Sequence, residues 1–185
     1  PLTPHPSPLP SPRMPNLPPH ELVLLGAGHT NAHIIRMWRM NALPGARLTC
    51  VANFPAATYS GMLPGTLAAQ YQPGDMEIDL SRLCASCGVR LIVDAAVAVD
   101  AAHQTVLFDQ RPPLPFDVLS IGIGSRPMTA EDPAGLSIAI KPMQTFLERL
   151  DERLHELAAS VDGRPWRIAI IGGGIVGSAA AYFLA

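Results

Sequence analysis

Apolar residues come in short bursts along the chain, each closed by glycine, proline or aspartate. This is the rhythm of strands alternating with helices. Leu22 to Leu25 run into Gly26-Ala27-Gly28, and Ile34, Ile35, Met37, Trp38 and Leu43 then mark the inner face of a first helix that Pro44-Gly45 ends. Arg47 to Asn53 reads as a second strand. A loop from Tyr59 to Gly65 leads into a helix from Thr66 to Tyr71. Asp79 to Gly88 is a helix with Gly88 as its stop, and Val89 to Val93 a third strand. Alternation resumes at Val97, Val99, Val106 and Phe108, with polar turns between, which predicts a small antiparallel meander. Phe116 to Gly122 is a buried strand entering a glycine-serine turn. Pro142 starts a helix with Phe146, Leu147, Leu150, Leu154 and Leu157 on one face.

The burst at Leu22 carries chemistry. Strand, glycine turn and helix in succession bring unpaired N–H groups and a partial positive charge to a dinucleotide's phosphates. Here the third glycine of G-x-G-x-x-G is replaced by Asn31, with small Ala32 behind it. The pattern returns complete near the other end, where Arg167 to Ile171 precede Gly172, Gly174 and Gly177, with Ala181 four residues on. Two such turns, about a domain apart, imply two dinucleotides, the plan of an FAD- and NAD(P)-dependent oxidoreductase. The acid expected at the end of the second strand, where it would take the ribose hydroxyls, is replaced by Asn53.

Composition narrows the class. With 185 residues, 48% hydrophobic and a net charge of −2, there is room for one buried domain and part of another, and no reason to expect nucleic acid. Three cysteines without a spaced framework fit a cytoplasmic setting, with peripheral membrane association left open. Many of the 20 prolines crowd residues 1–20, a disordered leader without a signal peptide's apolar centre, in which Met14 could be the true start. Phe183 to Ala185 stop inside the helix that Gly177 opens, as in the front part of a longer protein. The expected fold is α/β. A Rossmann-like first domain with a parallel sheet and the small meander occupies 21–141, a connecting helix 142–166, and the start of a second Rossmann-like domain 167–185.

These motifs resemble the pyridine nucleotide-disulfide oxidoreductase superfamily, in particular type II NADH dehydrogenase-like flavoproteins, and most of all the FAD/NAD(P)-binding module found alone or fused to selenophosphate synthetase. The likeness covers about Glu21 to Ala185. It rests on GAGHTNAH, YSGMLPG, DVLSIGIGSRP, IAIKPM and GGGIVG. It implies that Gly26, Gly28, His29, Thr30 and Asn31 cradle the FAD pyrophosphate and that Asn53 lies near the adenosine ribose. Ser60, Gly61 and Met62 would face the isoalloxazine. Val97 would meet the adenine through its backbone, and Gly124 and Ser125 would close over the cofactor. Lys141 matches a lysine near the flavin, although it also reads as a solvated residue ahead of a helix. Gly172, Gly174 and Gly177 would take NAD(P)H.

Three departures shape the expected activity. Ile123 replaces a threonine. Ala179 stands where type II NADH dehydrogenases carry a glutamate, which weakens the case for quinone reduction. The family's C-x-x-x-x-C is absent from the first helix, which argues against a dithiol substrate. Cys84 and Cys87 form a C-x-x-C at the C-terminal end of their helix, where the dipole does not favour a thiolate, so they read as packing residues. Ile168 to Ala185 reads as strand, turn and helix rather than a membrane span, and His29 with His33 lacks a third metal ligand. The expectation is an FAD-dependent NAD(P)H:acceptor oxidoreductase with a small-molecule or quinone-like acceptor and self-association into a homodimer. No side chain is an obvious catalytic acid or base, and the fragment itself is expected to be inactive. The alternative is a non-catalytic, dinucleotide-responsive regulatory or partner-binding module.

Overall fold

The computed structural model describes residues 18–124, 137–160 and 169–170. Residues 1–17 of the leader, Ser125, and the second glycine turn with Gly172, Gly174 and Gly177 lie outside the described residues, while His20, the last leader residue, already belongs to the first strand.

A four-stranded parallel sheet holds the structure together. It is built from β1 (His20–Leu25), β2 (Ala46–Ala52), β5 (Arg90–Val93) and β9 (Val118–Ile121), in the order β5-β2-β1-β9. Successive side chains of a strand point to opposite faces, and both faces are apolar. Leu24, Leu48 and Cys50 pack on one face against Ile35 of helix α1 (His29–Trp38) and Cys84 and Cys87 of helix α3 (Leu80–Cys87). Val23, Leu25, Val51 and Ile92 pack on the other, against Val106, Phe108 and Leu114. Those three come from the antiparallel sheet of β6 (Ala96–Asp100), β7 (Thr105–Phe108) and β8 (Leu114–Pro115), which is the expected meander. A bulge between Ala96 and Ala98 shifts the register of β6, and Val97 and Val99 face outward.

Helix α3 begins where its signals place it. Asp79 accepts from the Arg82 amide at 2.9 Å, and Gly88 closes the helix at φ +67°. Elsewhere the local reading needs correction. Helix α1 ends at Trp38, because the amides of Met40 and Asn41 both turn back to the Met37 carbonyl. Leu43 therefore lies beyond the helix and is exposed, and Met37, within it, is exposed as well, so neither belongs to its inner face. The helix expected from Thr66 instead spans Leu63–Leu67 as α2, with Pro64 in its first turn where a missing N–H is tolerated. A two-stranded antiparallel sheet of β3 (Ala56–Thr58) and β4 (Glu77–Asp79) has no counterpart in the sequence reading. β9 is an outer strand of its sheet among the described residues, so Val118 and Ile121 are exposed and not buried. Helix α4 (Phe146–Ser160) starts one 3₁₀ turn, Met143–Thr145, beyond Pro142. Phe146 and Met143 bury against Leu63 and Met76.

Candidate dinucleotide site

The order of the sheet explains where the site lies. From β1 the chain leaves through α1 to β2 on one side, while β9 returns on the other. The crevice beyond the carboxyl ends of β1 and β9 is thus a topological switch point, where open α/β sheets bind ligands. Gly26, at φ +84°, turns the chain there.

The glycines of the turn are required first by the protein itself. A Cβ on Gly26 would lie 2.6 Å from the Gly122 carbonyl oxygen, and one on Gly28 would lie 2.8 Å from the same atom. The Gly28 amide donates to that oxygen at 3.2 Å, and the Gly122 amide to Leu25 O at 2.7 Å. The end of β9 is therefore locked into the first turn. Asn31, in place of the third glycine, completes the lock. Its side chain is wholly buried. Its Nδ2 donates to Gly26 O at 2.7 Å, with Leu25 O and Ser120 O further off, and its Oδ1 accepts from Ser120 Oγ at 2.8 Å. The side chain of Asn31 thus binds backbone and Ser120, leaving its main chain to face the crevice. The sequence reading ends the strand at Gly122 and gives neither Gly122 nor Ser120 a role in the first turn. The signal available was an amide where a glycine belongs.

The N-terminus of α1 is open. Gly28 is its N-cap, no side chain caps it, and its first turn has no acid. Amides at such an end lack intrahelical acceptors and suit an anion. Beside it lies a cleft of about 380 Å³ lined by Gly28, His29, His33 and Arg36 on one wall and Thr58 and Tyr59 on the other, with no carboxylate in the lining. The His29 and Tyr59 rings meet edge to face, with centroids 5.0 Å apart. This contact ties the glycine turn to the 3₁₀ turn Ser60–Met62 that follows Tyr59. Met62, Ile138 and Ile140 all pack against the buried cluster of Leu63, Met76, Met143 and Phe146, and Ile140 precedes Lys141. A Cβ on Gly124 (φ +74°) would lie 3.9 Å from Lys141 Nζ. A series of contacts thus runs from the glycine turn through Tyr59 and the cluster holding Met62 to the segment that carries Lys141, beside Gly124. Asn53 follows the last residue of β2 at the same edge and is exposed. Val97 lies apart, on the outer face of the meander.

Cys84 and Cys87 are both free and buried, as is Cys50. The hydrogen bond with Cys84 and burial push the Cys50 thiol above its ordinary range.

No family model matches this chain, and no curated protein does. Solved structures do. The TM-score is 0.70 with reduced Bacillus anthracis CoADR-RHD, at 15% identity over 89% of this chain and 30% of that one. It is 0.65 with an NAD-dependent persulfide reductase from A. fulgidus, at 19% identity over 89% and 32%. With the sulfide:quinone oxidoreductase of Aquifex aeolicus it is 0.61, at 20% identity over 76% and 33%. The chain spans about a third of the length of these proteins. No described helix is long and apolar enough to cross a membrane. The strand order, the glycine turn at the switch point and these likenesses converge on one fold: the chain has the Rossmann-type α/β fold that these proteins share.

Proposed function

We propose that the chain forms the flavin-holding part of an FAD-dependent NAD(P)H:acceptor oxidoreductase whose acceptor is a small or quinone-like molecule. One observation carries this reading: an uncapped helix N-terminus at the switch point of a parallel sheet, beside a cleft whose charged lining is entirely basic. The amides of His29, Thr30 and Asn31 would hold the pyrophosphate, with the Gly26 and Gly28 turn giving close approach. Asn53 would accept from or donate to the adenosine ribose. Ser60, Gly61 and Met62 would face the isoalloxazine, Gly124 and Ser125 would close over the cofactor, Lys141 would lie near the flavin, and Val97 would meet the adenine by its backbone. Gly172, Gly174 and Gly177 would serve NAD(P)H. FAD bound here would supply hydride acceptance and onward electron transfer, and the chain's own residues would bind, orient and exclude water.

The fit to a flavin rests on the open amides and on Lys141 beside Gly124, both found in this chain. The likeness to an NADH oxidase and an NADH:rubredoxin oxidoreductase supports the same class of chemistry. The test is optical. The protein purified in its full natural length is expected to be yellow and to bleach when NADH is added without oxygen, with turnover on adding an artificial acceptor. A colourless protein that releases no flavin on denaturation would overturn the proposal. Bound flavin without acceptor-dependent NAD(P)H consumption would make the chain a dinucleotide-responsive module instead.

A further inference from the structure

A second cleft, of about 330 Å³, opens beside the N-terminal ends of β2 and β5, away from the glycine turn at the strands' carboxyl ends. Arg47, Arg90 and Arg111 line it, with no carboxylate among its lining residues. The sheet register explains why they meet. Thr49 pairs with Arg90, and Arg47 lies two residues before Thr49, so Arg47 and Arg90 sit on one face of neighbouring strands. Arg111 arrives from the loop between β7 and β8. Diagonal neighbours of like charge repel, and the structure answers this only in part. Glu21 binds Arg47, from whose Nε it accepts at 2.6 Å, and is itself held by the Thr49 hydroxyl. Asp94 accepts from Arg111 Nε at 3.1 Å. Arg90 has no ion pair among the described residues, so the cleft carries one uncompensated guanidinium.

Each guanidinium has five N–H donors in a planar fork. The carboxylates use only part of the forks of Arg47 and Arg111 and hold both in place, leaving further donors free. Preorganised guanidinium forks are suited to bidentate recognition of tetrahedral oxyanions. The exposed rings of Pro112, Pro113 and Pro115 form an apolar side beside them, which calls for an organic group next to the anion. We propose that this cleft is a binding site for a small organic phosphate, separate from the dinucleotide site.

Phenyl phosphate and inorganic phosphate, titrated at constant ionic strength into the purified protein with FAD added to fill the glycine turn, are the probes. Binding is read by calorimetry. Both are expected to saturate, phenyl phosphate several-fold more tightly because its ring meets the apolar side. Arg90→Ala is expected to weaken both by about tenfold or more, equivalent to about 1.4 kcal/mol. Arg39→Ala, which removes an exposed arginine at the end of α1, is expected to leave both unchanged. Because Arg90 is exposed, its removal leaves the core intact, which an unchanged unfolding midpoint checks. The proposal fails if neither probe saturates, if Arg90→Ala binds as tightly as the parent, or if the two variants lose affinity equally. Only the binding that Arg90→Ala removes is assigned to this cleft, and phosphate binding that survives in Arg90→Ala but is displaced by excess FAD belongs to the glycine turn, so failure here is distinguishable from failure of the dinucleotide reading.

Discussion

At the scale of single residues, Asn31 has the sharpest consequences. Its amide satisfies the Gly26 carbonyl and the Ser120 hydroxyl inside the fold, so truncation leaves both without these partners. Asn31→Ala is expected to cost about 1–3 kcal/mol, measured by urea unfolding. Asn31→Asp is the more telling change. An ionised carboxylate can only accept, and here it would face the Gly26, Leu25 and Ser120 carbonyls, so its folded pKa is raised above the unfolded value of about 3.9. A raised folded pKa makes the folded state bind the proton more tightly. The deficit relative to the parent is therefore largest near neutral pH and shrinks as pH falls through the raised pKa. A deficit that is flat with pH would contradict the hydrogen-bond assignment. The residue was legible only as a blemish in the glycine pattern, since spacing cannot show that its partner is Ser120, 89 positions away.

Among the elements, those with a strong local signal were readable. β1, β2, β5 and α3 lie close to where hydrophobic period, cap and stop residues put them, as does the meander. The three-residue strands β3 and β4 were not, because Ala56–Thr58 and Glu77–Asp79 are too short to show a period and are strands only through each other. Helix α2 was displaced for a related reason: Pro64 and Gly65 look like a turn, yet both are accommodated within the helix. Burial of Leu63 holds it, on the same cluster that receives Met143 and Phe146 ahead of and at the start of α4. Leu63→Ala is accordingly expected to cost about 2–5 kcal/mol and to loosen the Ser60–Met62 turn beside it. Thermal unfolding and faster amide exchange at Gly61 and Met62 would register both effects. Loss of stability without faster exchange there would separate the turn from this cluster.

For the whole molecule, the parallel sheet flanked by helices and meander was foreseeable, because alternating bursts of the two periods admit few arrangements. The outward face of β9 was not. The chain spans about a third of the proteins whose fold it shares, and Val118 and Ile121 on β9 are open to solvent. Residues 1–185 alone are therefore expected to hold FAD weakly, since an exposed helix-terminus contact contributes only about 0.3–1 kcal/mol. A submicromolar dissociation constant from flavin fluorescence would show a complete site. The clasp between Gly122 and the first turn has a further implication, for biosynthesis. The glycine loop after β1 leaves the ribosome well ahead of β9, the strand that fixes its shape. Synthesis runs at about 5–20 residues per second, so a nascent chain carries that loop unbraced for several seconds. On the proposed function, flavin capture waits until β9 has emerged and docked.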